Sequence, residues 1–498
     1  MAQASMANEV PHAASSSETI VQRLAAKVCA FDKRQLTKTS IAQAKTCILD
    51  TIGVTLAGVP EPCTQILLKT PGIAPPGPCL IFGTDRRTSG LDAALINGTA
   101  SHALDYDDFS GALGGHHSVP LVSTLFALAE ERGATGEALI AAYVIGVETM
   151  IRLARAVNFH HYDKGWHPTS TLGAFGGAAA ASHMMKLDPA RTARALSIAA
   201  SLASGLKANF GTMTKPLHIG HCSRNGLFAA LIAEGGFEAA DDVFEHHQGF
   251  LDVFNGPGTY DVEKMFENWG EPWEIEASSI GLKQFPCCGS THPAIIMALK
   301  LRNEEAIRAA DVTQIRVLPH GRRLRHTNTP HPQTPLEAKF SVQYAVARAL
   351  QDGAVRLKDF EGDAHLEPQI ARLLDITEAS PHPDMPDNSK DQWGAEVIAT
   401  LKDGRRLSRR VENLVGRGGD NPMSSSELWD KFSDCAARAL PREQVAPLFE
   451  RLETLEKVTE MAQVMRLLEV SNLYRPAPKT VVFPPRGTEE APETTWVP

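Results

Sequence analysis

The chain has 498 residues, of which 43% are hydrophobic, 21% charged and 6% aromatic, and its formal net charge is -9. That length supports a large core and two domains, and the acidic balance argues against nucleic acid as the main partner, because phosphate binding wants a basic surface. No run of about 18 uninterrupted apolar residues is present, so no membrane span is predicted.

In chain order, the opening MAQASMANEVPHAASSSET lacks the apolar run and the arginines of a targeting peptide, and residues 1–16 are predicted to be a disordered tail. Ser17 is placed to cap a helix carrying Ile20, Val21, Leu24 and Val28, and Thr39 or Ser40 to cap a second carrying Ile41, Ile48 and Leu49. The Ala- and Gly-rich segments TLGAFGGAAAASHMM, ALSIAASLASGL and NGLFAALIAEGG read as helices packed through small faces. Beyond residue 278 the texture changes. TQIRVLPH alternates like a strand, FSVQYAVARAL reads as a helix, and AEVIATLKDGRRLSRRV reads as a hairpin turning at Asp403-Gly404. After 416 the chain returns to helix, and 473–498 is predicted to be a second tail. The expected fold is mainly α: a helical domain, 17–278 plus 416–472, interrupted by an inserted α+β domain, 279–415.

None of the eight cysteines forms a C-x-x-C pair, which excludes zinc ribbons and thioredoxin motifs and favours a reducing compartment. The cytoplasm is expected, with the mitochondrion as the alternative.

The stretch HALDYDDFSGALGGHHSVP, 102–120, concentrates three aspartates and, after a glycine-rich gap, two histidines. It is readable as a metal site, as an acid/base site, or as a structural loop with capping aspartates. No H-E-x-x-H or EF-hand spacing favours the metal. His218-Ile219-Gly220-His221 spells HIGH, but it lacks the nucleotide-fold strand and the KMSKS-like loop of a synthetase. Lys215 lies in a Gly/Thr/Pro turn and can face a cleft or solvent. His167 precedes Pro168, which suits a helix start. Lys283, the vicinal Cys287-Cys288 and His292 lie where the α+β region begins, and the cysteines read as small apolar residues. Tyr344 can donate a proton or simply fill space.

Taken together, HALDYDD with its following histidine, GWHPTSTLG, GTMTKPLHIG, LKQFPCCGSTHPAI and FSVQY occur in this order. In this the chain resembles the MmgE/PrpD family from about Ile20 to about Leu468. The resemblance implies a helical fold with an inserted α+β lid. It also implies a homodimer and a lyase that acts on a small polycarboxylate without metal or organic cofactor. Decarboxylation of cis-aconitate ranks first, dehydration of 2-methylcitrate second and epimerisation of iminodisuccinate third. Carried over by position, Asp105, His116, His167 and Tyr344 are the implied catalytic residues, with His116 favoured as proton donor. Lys215 and Lys283 are the implied carboxylate binders. Phe109 stands where the family often has Thr, and His117 where it often has Pro.

Overall fold

The computed structural model describes residues 18–277, 279–386, 393–412, 414 and 421–470. The two predicted tails, Ser17 and most of the 416–422 stretch lie outside the described residues. The fold is mainly helical.

The first two helices are capped at residues other than those the sequence suggests. Thr19 opens helix Ile20–Ala30: its Oγ1 accepts from Gln22 N at 3.4 Å, while Gln22 Oε1 accepts from Thr19 N at 3.1 Å. This reciprocal box needs a Gln three residues after the cap, which Thr19 has and Ser17 lacks. Thr37 opens helix Lys38–Gly58, its Oγ1 accepting from Ser40 N at 2.9 Å, so Thr39 and Ser40 fall inside the first turn.

The small-residue segments form helices Gly173–Met184, Pro189–Leu202 and Thr214–Glu234. Their glycines let backbones approach closely. A Cβ on Gly220 would stand 2.1 Å from Leu95 O, and one on Gly98 would stand 2.8 Å from Gly220 Cα. Helix Gly90–His102 is thereby pressed against helix Thr214–Glu234, with the end of the first beside the start of the second. Gly146 of helix Gly136–Val157 meets Gly176 in the same manner.

A four-stranded sheet runs in the order Thr377–Ala379, Val312–Pro319, Ala395–Leu401, Arg406–Val411; the first pair is parallel and the others antiparallel. The last two strands are the predicted hairpin. Gly404 takes φ +86°, and Asp403 Oδ1 accepts from Arg405 N at 3.0 Å, fixing the turn. Helices His292–Glu304 and Val342–Asp352 pack against the sheet.

Buried apolar side chains form two large clusters. One draws on Ile20 through Leu282 and again on Leu428 through Val470; the other draws on Phe285 through Leu401. The chain crosses between them at Lys283.

Candidate active site

The turn after helix Gly90–His102 holds three aspartates in three different environments. Asp105 adopts φ +52°, a left-handed conformation that Asp tolerates better than most residues. The turn is anchored from two sides: Tyr106 O accepts from Lys431 Nζ at 3.0 Å, and Tyr106 OH donates to Gln284 O at 2.9 Å. Lys431 also pairs with buried Asp50 at 2.5 Å.

Asp105 receives two ammonium groups. Lys215 Nζ lies 2.8 Å from its Oδ1 and Lys283 Nζ lies 3.1 Å from its Oδ2. Lys283 also donates to Asp105 O at 2.5 Å. A short ladder places it there: Phe109 pairs with Gly281 and Ser110 with Ile280. Burial works against the charge on Asp105, but the two lysines overcome it and hold the carboxyl well below the usual range. Burial also works against the charge on Lys283, and Asp105 reverses this, raising the ammonium's pKa. The Asp105 side chain remains 34% exposed, so this group opens to solvent.

Asp107 is fully buried between two imidazoles. His102 Nδ1 lies 2.9 Å from its Oδ1, and His116 Nδ1 lies 2.8 Å from its Oδ2. Burial opposes its ionisation, but His102 and His116 keep the carboxyl well below the usual range. His116 Nδ1 is also 2.7 Å from Asp108 O. A carbonyl only accepts, so Nδ1 carries the hydrogen and Nε2 is the atom free to take or give a proton. That Nε2 lies 3.6 Å from Asp105 Oδ1. Asp108 turns inward, where burial pushes its carboxyl up to about 7 against a hydrogen bond from Ser118.

His116 sits at the end of the glycine-rich loop. A Cβ on Gly115 would stand 2.5 Å from Thr169 Oγ1, and the same oxygen accepts from His116 N at 3.0 Å. This contact brings in the segment after His167. Pro168 opens helix Pro168–Thr171 as the sequence suggests, but the helix is a single turn. The His167 Nδ1 is 3.3 Å from His218 Nδ1, and its ring stands 6.0 Å from that of His102. Burial holds His167 well below the usual histidine range, and it holds His102 down at about 4.

Asp105, His116, His167, Lys215 and Lys283 are therefore brought together. Tyr344 makes none of these contacts. It is fully buried in the second apolar cluster, its OH donating to Asp359 O and accepting from Arg348 Nε at 3.0 Å. Its phenol is pushed up to about 12, chiefly by burial. The vicinal cysteines stay thiols: burial raises Cys288 and pushes Cys287 up to about 12.

Residue-by-residue reading missed four neighbours. His102 and Asp107 were visible as the first and sixth letters of HALDYDD. His218 belongs to the HIGH tetrad, whose pattern carries no signal for this site. Lys339, whose Nζ is 3.4 Å from Leu104 O, precedes FSVQY by one residue and gave no signal of its own.

His102, Asp105, Asp107 and His116 lie close enough to ligate one cation. However, both Asp105 oxygens carry an ammonium and each Asp107 oxygen is already engaged by an imidazole nitrogen, so a cation would have to displace these partners. The arrangement suits an anion better. A cavity of about 490 Å³ lined by Arg155, Phe159, Lys264 and Glu271 lies elsewhere and holds none of these groups.

The profile of the MmgE/PrpD N-terminal domain matches residues 22–263, and that of the MmgE/PrpD C-terminal domain matches residues 285–454. Cis-aconitate decarboxylase of Mus musculus is 28% identical over 474 residues, covering 93% of this chain and 96% of the relative. The Homo sapiens enzyme of that name is 29% identical, covering 91% and 95%. The Aspergillus terreus one is 27% identical, covering 86% and 91%. With both domains matched in order and the motif residues gathered around one turn, the chain belongs to the MmgE/PrpD family.

Proposed function

We propose that the protein is a cofactor-free lyase acting on a small polycarboxylate, and that its reaction is the decarboxylation of cis-aconitate. The observation that carries this reading is the Asp105 carboxylate clasped by Lys215 and Lys283 beside the free Nε2 of His116. Two ammoniums on one carboxylate leave a surplus positive charge at a solvent-facing group. An incoming carboxylate completes the pairing, and Lys339 adds a third amine nearby. The names of the relatives favour cis-aconitate among small polycarboxylates.

In the proposed reaction one substrate carboxylate leaves as CO2. The electron pair of the broken C–C bond moves into the adjacent alkene, and the far carbon takes a proton. His116 supplies that proton from Nε2, the ring nitrogen that neither Asp107 nor Asp108 O engages. Asp107 and Asp108 O fix the ring so that Nε2 points toward Asp105. His167 is less suited as the acid, because burial keeps it neutral; it orients or contacts the substrate instead.

The α+β segment, 279–415, acts as a lid over the helical domain, 17–278 and 416–472, with Lys283 at the passage between the two cores. The homodimer implied by the family finds support in helix Thr214–Glu234. Its outer face exposes Leu217 and Phe228, at 36% and 38%.

Product NMR after incubation with cis-aconitate, 2-methylcitrate and iminodisuccinate tests the proposal. Itaconate from the first supports it. Formation of 2-methyl-cis-aconitate alone replaces it with a dehydratase, and epimerisation alone with an isomerase.

A further inference from the structure

Behind the candidate active site lies a second polar cluster that the proposed reaction does not use. Cys47 on helix Lys38–Gly58, Asp108 and His117 are each fully buried. A sulfur, a carboxylate oxygen and a ring nitrogen from these three all lie within 4.8 Å of one another.

Two observations point to a ligand here. The first is hydrogen bonding. His117 is 0% exposed, yet neither of its ring nitrogens makes a hydrogen bond, and Asp108 Oδ1 makes none either. Leaving a buried polar group unsatisfied costs about 1–3 kcal/mol each, so three such atoms on two neighbouring buried side chains call for an explanation. The second is spacing. His117 Nε2 stands 3.4 Å from Asp108 Oδ2, too long for a good N–H···O bond. It matches the edge of a tetrahedron whose metal–ligand bonds are about 2.0–2.1 Å.

We propose that Cys47, Asp108 and His117 bind a zinc ion at a structural site. Charge favours this occupant: a thiolate and a carboxylate carry two negative charges, a neutral imidazole none, and a divalent ion cancels them in a setting where net charge is costly. Binding releases one proton from the Cys47 thiol and one from the Asp108 carboxyl where each is protonated. A soft thiolate beside an imidazole selects zinc over magnesium or calcium. The fourth position falls to water; the Ser118 hydroxyl donates to Asp108 Oδ2 and lies 2.6 Å from Tyr143 OH, holding the carboxylate from outside the coordination sphere. The ion would tie helix Lys38–Gly58 to the 108–118 segment, and so brace the loop that presents His116. His117 is the residue that makes the set.

The test uses the full chain, purified without a histidine tag, stripped with chelator and dialysed against zinc or cobalt. Mass spectrometry is expected to find about one zinc per chain. The cobalt form is expected to show a thiolate-to-metal charge-transfer band. Both are lost in Cys47→Ser and in His117→Gln and kept in Asp105→Asn. Wild-type protein without stoichiometric zinc, a cobalt spectrum lacking the thiolate band, or full zinc content in Cys47→Ser overturns the proposal. If either variant fails to fold, the cobalt spectrum of the wild type still decides.

Discussion

Lys215 Nζ stands 2.8 Å from Asp105 Oδ1, while Lys283 takes the other oxygen. This contact joins the first turn of helix Thr214–Glu234 to the turn that follows helix Gly90–His102. In the proposed reaction Lys215, with a side chain 18% exposed against 7% for Lys283, is the cation placed to trade its partner for a substrate carboxylate.

Lys215→Met removes that cation with little loss of volume. A hydrogen bond to a charged group is worth about 1.5–3 kcal/mol, so kcat/KM for the polycarboxylate is expected to fall by about 10- to 100-fold. Steady-state kinetics separate the terms, and most of the loss is expected in KM. An unchanged kcat/KM removes Lys215 from the substrate site.

The reach of Lys215 depends on the close approach of two helices. Gly220→Ala places a methyl group 2.1 Å from Leu95 O, where backbone must give way. The expected cost is about 1–3 kcal/mol of stability, with a parallel loss of activity as Lys215 moves away from Asp105. Denaturant unfolding and kinetics on the same sample check this; a variant with wild-type stability contradicts the packing described.

His161 is fully buried, with Nε2 2.8 Å from Thr171 Oγ1, and burial lowers its pKa to about 4. Its unfolded value is about 6.5, so from roughly pH 6.5 down to 4 the unfolded chain binds a proton that the folded chain refuses. Stability from this group is present above that window and is lost as pH falls, at up to about 1.4 kcal/mol per pH unit. The stability of wild type relative to His161→Gln is therefore expected to shrink across that window. A difference that stays flat with pH shows that His161 is not held neutral.

Phe228→Asp puts a charge on the exposed face of helix Thr214–Glu234. If that face joins two copies, light scattering should report a shift from dimer to monomer at micromolar concentration. A variant that remains dimeric places the interface elsewhere.

The helical texture, the strand at 312–319 and the hairpin at 403–404 were legible because each rests on local periodicity or turn chemistry. The cap of the first helix was missed because the capping box depends on Gln22, three residues further on. The site was legible as a set of segments but not as a geometry. Asp107 looks like any turn aspartate in sequence, and only the fold shows it fixing both His102 and His116. The surroundings of Tyr344 were hidden for the complementary reason. Its position in FSVQY matches the family pattern, but helix Val342–Asp352 turns its hydroxyl toward Asp359 and Arg348. Lys339 carried no pattern, since nothing local distinguishes it from a surface lysine.

The most direct test of the account is NMR of cis-aconitate turnover in D2O, with wild type beside His116→Asn. The account predicts itaconate carrying one solvent-derived deuterium on carbon, formed at least about 100-fold more slowly by the variant. Unaltered cis-aconitate with the wild type, or equal rates for the two proteins, would contradict it.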